Sequence, residues 1–263
     1  MNRILQTGRV GLDSIQNKMD IIAHNIANVQ TNGYKAMEVQ FEDLIYDRLG
    51  NKGTPITRNT AGKPVQIGTG SRIKTIQHRF DNGIPQETSG PFDLAIQGEG
   101  FFGVEGENGE TLLTRDGAFS VDGGGHLVDG SGRRVRMDLF SPLTQWPVKD
   151  ITIDEKGLMT CSDPVTGQSA EVGRIHLYRA ADPAMLIDHG DNTFYAAGPE
   201  DIYEAGNRPD TGSIIRQGFL EGSTVDMTKE LTDMLMTQRA YQINTKSIHA
   251  ADELWGMTNQ LRR

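Results

Sequence analysis

The chain has 263 residues, enough for one to three domains with a buried core. Its net charge is −9, and Lys and Arg do not cluster beyond pairs such as Arg133-Arg134 and Arg262-Arg263, which argues against a nucleic-acid partner. A single cysteine, Cys161, excludes an internal disulfide and reads as a small residue in or near a strand; no transmembrane segment and no cleaved secretory leader are expected.

The spacing predicts a first helix from about Ile4 to Thr31. Leu12, Ile15, Met19, Ile22, Ile26 and Val29 recur in steps of three and four, and the same steps lead back to Gly8 and Leu5. That draws one narrow stripe, the seam of a helix that packs against another helix. Asn25 and Asn28 lie within or beside the seam and are candidates for fixing register through hydrogen bonds. Asn32-Gly33 reads as the stop, with Gly33 as a left-handed C-cap.

From Tyr34 to Tyr46 the chain is either extended or makes a short helical turn through Phe41, Leu44 and Ile45. Gly, Pro, Thr and Asn crowd the stretch from Arg48 to Pro64, which reads as a loop or arm. Val65 to Ile76 alternates in its second half and reads as a strand.

From Phe92 onward β character dominates, in keeping with 31 glycines. Leu94-Ala95-Ile96 leads into Gly98-Glu99-Gly100-Phe101-Phe102-Gly103-Val104, and Asn108-Gly109 is a hairpin signal. Val121-Asp122-Gly123-Gly124-Gly125-His126-Leu127 is echoed by Ile153-Asp154-Glu155-Lys156-Gly157-Leu158-Met159. In each, Asp opens a turn and Gly closes it. Asp163-Pro164-Val165-Thr166-Gly167 reads as a further turn. Arg174 to Tyr178 and Asn192 to Tyr195 read as strands, Asn207 to Gly212 as a loop, and Ile214 to Gly218 as the return.

A second long helix follows, with Ser223 or Asp226 as its N-cap. One stripe carries Met227, Leu231, Met234, Tyr241, Ile248 and Trp255, interrupted by Gln238, Thr245 and Asp252. A second stripe runs through Met236, Ala240, Ile243, Ser247, Ala250, Leu254, Met257 and Leu261. A helix with two stripes touches more than one neighbour. Gln238 and Asn244 join Asn25 and Asn28 as polar register candidates. One imperfect seam does not offset the cost of ordering two long segments, so the ends are expected to be poorly ordered in an isolated monomer and to become helical when several chains meet.

The expected fold class is α+β. Long N- and C-terminal helices pair as a coiled-coil-like domain around an inserted, mainly antiparallel β domain. The expected division is 1–35 with 224–263 as a helical polymerisation domain, 36–75 as an extended connecting arm, and 76–223 as the β-rich body. No catalytic constellation is legible, and neither a metal site nor a cofactor is expected. His24, His78, His126, His176, His189 and His249 lack metal-ligand spacing. Gly98-Glu99-Gly100 is followed by a strand-like pair, not by the helix that dinucleotide binding requires. Asp122 and its glycines lack the spacing of a calcium loop.

Three stretches resemble the bacterial flagellar basal-body rod and hook proteins. They are Asn25 to Lys35; Leu94 to Phe102 with Thr114-Arg115-Asp116-Gly117-Ala118-Phe119; and Gln217 to Glu221 with Gln238 to Lys246. Gly98, Gly100, Phe101, Phe102, Arg115 and Gly117 carry the central motif. The matches fall in order and span nearly the whole chain. Length and the Gly-x-Gly-Phe-Phe block point to the distal-rod branch or its close paralogue, the proximal-rod branch; a hook-like protein is normally longer. The resemblance implies a structural, self-assembling subunit, exported unfolded through the flagellar type III apparatus. It implies a helical homopolymer in the rod, with other rod and hook proteins and surrounding ring proteins as partners. The rival class is a cell-wall-binding or carbohydrate-active β protein, for which no paired carboxylates are assignable.

Overall fold

The computed structural model describes residues 2–43, 46–48, 66–68, 71–141, 143, 151–162, 169–196, 198, 201–204 and 212–260. The chain forms two compact units. Unit 1 comprises Met1–Ala27, Met37–His78 and Asp226–Arg263; unit 2 comprises Asn28–Ala36 and Arg79–Val225. Two long helices and a middle of antiparallel sheets make the chain α+β.

Unit 1 holds helix α1 (Asn2–Ala27), strands β1 (Met37–Asp43), β2 (Tyr46–Arg48), β3 (Gln66–Gly68) and β4 (Ser71–His78), and helix α2 (Met227–Gln260). Helix α1 packs against α2, β1 and β4. Strands β1 and β4 pair antiparallel, Met37 opposite His78 and Asp43 opposite Ser71, with a bulge between Gln40 and Phe41. The ambiguous stretch after Tyr34 is therefore strand from Met37 to Asp43. Leu44, Ile45 and most of the expected arm lie outside the described residues. In β4 the alternation is present: Ser71, Ile73 and Thr75 are half-buried, while Arg72, Lys74 and Ile76 are exposed.

Helix α1 ends at Ala27, not Thr31. The amide of Thr31 donates to Asn28 O at 3.2 Å, and the Thr31 hydroxyl meets Asn28 Oδ1 at 3.1 Å. Short polar side chains of this kind compete with helical hydrogen bonds and turn the chain. Asn28 and Val29 thus lie beyond the helix, and Gly33 is not its cap. At α2, Asp226 is the N-cap: its Oδ1 accepts from the amides of Thr228 at 2.9 Å and Lys229 at 3.2 Å.

Unit 2 is built from short strands: β5 (Pro85–Glu87), β6 (Leu94–Gln97), β7 (Phe101–Glu105), β8 (Thr111–Thr114), β9 (Ser120–Val121), β10 (Leu127–Val128), β11 (Met137–Leu139), β12 (Ile151–Ile153), β13 (Leu158–Ser162), β14 (Ser169–Ile175), β15 (Leu177–Ala180), β16 (Ile187–Gly190), β17 (Thr193–Tyr195), β18 (Ile202–Glu204), β19 (Ile214–Gln217) and β20 (Phe219–Glu221). A six-stranded sheet runs β16-β17-β8-β7-β15-β18 and a four-stranded sheet β11-β14-β13-β12. Strand β19 pairs with β6, and β20 with β5.

The two echoed segments are the same turn. Gly125 N donates to Asp122 O and Gly157 N to Asp154 O, with φ of 79° and 80° at the glycines. Asp129 and Gly132 make it a third time, with φ of 84° at Gly132. The Asn108-Gly109 hairpin joins β7 to β8. The turn expected from Asp163 to Gly167 and most of the loop from Asn207 to Gly212 lie outside the described residues.

The main core gathers Leu94, Ile96, Phe102, Val104, Leu112, Met159, Val172, Ile175 and Ile215, and Cys161 sits within it on β13 at 1% exposure. A smaller core holds Phe101, Leu113, Ala180 and Phe194, with Phe80 packed edge-on against both phenylalanines. Adjacent residues of a strand point to opposite faces. Phe101 and Phe102 accordingly fill different cores.

Candidate functional site

In unit 1 the buried face of α1 passes through Ser14, Ile21, Ile22 and Asn25. Of the seam residues, Ile22 is fully buried, and Leu12, Ile15, Met19 and Ile26 are half-buried. Ser14 carries no periodic signal, yet its hydroxyl donates to Ser71 O at 2.9 Å and holds β4 to the helix. Asn25 is bonded within its own chain. Its Oδ1 accepts from Met37 N at 2.9 Å, and its Nδ2 donates to Met37 O at 2.9 Å and to Glu230 Oε1 at 3.2 Å. Burial pushes the Glu230 carboxyl up, against the pull of the Asn25 bond. Asn244 donates to Gly8 O at 3.2 Å. A Cβ on Gly8 would lie 2.9 Å from Ile248 Cγ1, so glycine there lets α2 approach the α1 backbone.

Helix α2 is far less covered. Met234 and Ile248 of its first stripe are half-buried, whereas Met227, Leu231, Tyr241, Trp255 and Gln238 are exposed. The second stripe is open to solvent: Met236 and Ile243 are each 66% exposed, Leu254 62% and Met257 56%. Thr237 is the one buried side chain among the described residues of α2, and its hydroxyl bonds back to Asp233 O at 2.6 Å.

In unit 2 three stretches far apart in sequence meet at a buried charge cluster. Lys35 Nζ lies 2.6 Å from Glu221 Oε1, and Arg115 NH1 lies 3.1 Å from Glu221 Oε2. The side chains of Lys35, Arg115 and Glu221 are 0%, 2% and 3% exposed. Two cations thus share one carboxylate, and neutral oxygens accept further bonds from both. Lys35 also donates to Asp81 O at 2.5 Å; Arg115 donates to Gly98 O at 2.8 Å and Asn82 Oδ1 at 3.3 Å. Glu221 accepts in addition from Gly83 N at 2.6 Å. The Arg115 guanidinium lies 5.3 Å from the centre of the Phe101 ring. Burial lowers the Lys35 and Arg115 pKa values despite the opposing pull of Glu221.

Backbone bonds close the same region. Gly33 N donates to Glu221 O at 2.7 Å, Thr224 N to Tyr34 O at 3.1 Å, and Ala36 N to Thr224 Oγ1 at 2.9 Å. Gly33 has φ of 64°, and a Cβ on it would sit 2.4 Å from the carbonyl carbon of Arg115. Its role is close approach inside unit 2.

The remaining motif residues frame the cluster. Gly98 and Gly100 take φ of 114° and 139°, presenting Gly98 O to Arg115. A Cβ on Gly117 would strike Leu94 O at 1.7 Å. Sequence reasoning placed Lys35, Arg115 and Glu221 in the three stretches but did not bring them together, because a charge pair at long separation leaves no periodic trace. Among the described residues, no group of three His, Cys, Asp or Glu is arranged to hold a metal ion, and no helix is long and apolar enough to cross a membrane.

Comparison with known proteins accounts for the three stretches. Residues 5–35 match the family described as flagella basal body rod protein, 95–161 the flagellar hook protein FlgE/F/G D1 domain, and 216–261 the flagellar basal body rod FlgEFG protein C-terminal. The chain is 36% identical to the flagellar basal-body rod protein FlgG of Borreliella burgdorferi, with 100% of both chains covered. The chain belongs to the flagellar basal-body rod protein family. This rod protein is also 35% identical to FlgG of Agrobacterium fabrum, over 96% of each chain, and 32% identical to FlgG of Bacillus subtilis, over 100% of each. Among the family's branches it is most like FlgG, the distal rod type. It is a structural subunit of the flagellar basal-body rod and not an enzyme.

Proposed function

We propose that this rod subunit polymerises through its terminal helices, which pair in a coiled-coil-like manner. The observation that carries this reading is the solvent-open apolar stripe Met236, Ile243, Leu254 and Met257 on α2. A contiguous apolar face of that kind marks an interaction surface. Neighbouring copies cover it in a helical homopolymer, a head-to-tail arrangement that does not close on itself. Leu12, Ile15, Met19, Ile22 and Ile26 with Leu231, Met234, Tyr241, Ile248 and Trp255 form the inner seam, and Asn244 sets its register against α1.

In this reading residues 1–35 with 224–263 are the polymerisation device, 36–75 an arm, and 76–223 the body. The subunit leaves the cytoplasm through the flagellar type III apparatus and works outside it, in contact with other rod and hook proteins and the surrounding rings. Electron microscopy of concentrated full-length protein beside residues 28–225 tests the reading. This shortened chain keeps Lys35 and Glu221. Hollow rods from the full chain alone are expected; rods from the shortened chain would overturn the assignment.

A further inference from the structure

Unit 2 is discontinuous in sequence. Its first segment, Asn28–Ala36, carries Lys35, and Glu221 lies close to its last residue, Val225. Arg115 comes from between them. The C-terminal segment also finishes the packing. Strand β19 is the ladder partner of β6 among the described residues, and Ile215 on β19 is 2% exposed in the main core. Strand β20, which ends at Glu221, is the partner of β5. Until this segment arrives, Lys35 and Arg115 lack the buried carboxylate that they share in the packed unit. A buried cation without its counter-ion strongly opposes packing.

We infer that the Lys35–Glu221–Arg115 cluster is a closure latch, which lets unit 2 pack only once the segment carrying Glu221 lies between the two cations. A chain that is exported unfolded then keeps unit 2 open until both cations and Glu221 have passed. The latch rests on the export reading above for its biological use and on geometry for its existence. It differs from a local staple in its reach: it couples the connectors at 33–36 and 221–224 to the cores of the whole unit.

Native-state hydrogen exchange on full-length protein tests this, comparing the wild type with Glu221→Gln, which keeps the acceptor for Gly83 N and removes the charge. Core amides of β6 and β8 are expected to exchange roughly tenfold faster or more, by the same factor as Gly33 and Gly83. Thr224→Val, which removes the bond to Ala36 N without touching a charge, is expected to accelerate its neighbours alone. If Glu221→Gln does not fold, Glu221→Asp is expected to give the same uniform acceleration by a smaller factor. Acceleration confined to residues around Gly33 and Gly83, with β6 and β8 unchanged in either variant, would overturn the latch. A subunit that is not exported but shows uniform acceleration would overturn the export reading and leave the latch standing.

Discussion

Lys35 and Glu221 lie 186 positions apart in sequence, and their charged atoms meet at 2.6 Å with both side chains buried. Arg115 shares the same carboxylate, so the site holds two cations against one anion. The two partners of the contact are therefore not equivalent. Removing Glu221 takes from both cations the carboxylate they share, whereas removing Lys35 leaves one guanidinium matched to one carboxylate. Glu221→Ala is expected to cost about 3–5 kcal/mol of stability. Lys35→Met is expected to cost less than about half of that, since its alkyl stem is already in place and Glu221 Oε1, which loses one donor, keeps Gly83 N as another. Denaturant titrations of the two variants check the ranking. Equal losses, or a larger loss for Lys35→Met, would contradict the arrangement.

Gly33 tests the same junction through the backbone. Its φ of 64° disfavours any L side chain, and an added Cβ would lie 2.5 Å from Arg115 O. Gly33→Ala is expected to lose more than the roughly 1–2 kcal/mol of the left-handed conformation alone, because the Arg115 backbone must also move. The denaturation midpoint should fall without a change in slope. A loss no larger than the roughly 1–2 kcal/mol of the left-handed conformation would contradict the close approach to Arg115.

Asp116 sets a pH dependence. Burial pushes its carboxyl up, against the lowering effect of the hydrogen bond from Ala118 N at 3.0 Å. The folded state thus binds this proton more tightly than the unfolded state. The resulting stability is fully present below the unfolded pKa and is lost as pH rises through the raised folded pKa. An asparagine side chain at this position would keep an acceptor for Ala118 N and would not titrate. Asp116→Asn is therefore expected to gain on the wild type as pH rises from about 4 to about 7. Urea titrations at several pH values measure the difference, and a constant offset would contradict it.

What was legible in the sequence followed what leaves a local or periodic mark. Steps of three and four marked α1 and α2, Asn108-Gly109 marked the β7–β8 hairpin, and the Asp-to-Gly echo marked two turns. The end of α1 was misplaced because Val29 continues the apolar steps, while the Asn28–Thr31 turn that stops the helix is a matter of side-chain hydrogen bonding. The pairing of β1 with β4 was hidden because the strands are joined by a long intervening stretch. Ser14, Asn25 and the Lys35–Glu221 contact are polar groups whose burial follows from tertiary partners. Polar residues at such positions look like ordinary surface until those partners are known.

The central claim is that the open stripe of α2 is where copies of the rod subunit meet. Ile22→Asp is a poor test, since Ile22 is 4% exposed within unit 1 and a charge there disturbs the single chain. Ile243 is 66% exposed, so Ile243→Asp spares the isolated subunit. The direct measurement is electron microscopy of concentrated full-length Ile243→Asp beside the wild type, with circular dichroism to confirm that each folds. Folded mutant protein that forms no rods, beside wild type that does, is the predicted result. Rods of wild-type length and number from Ile243→Asp would contradict the account.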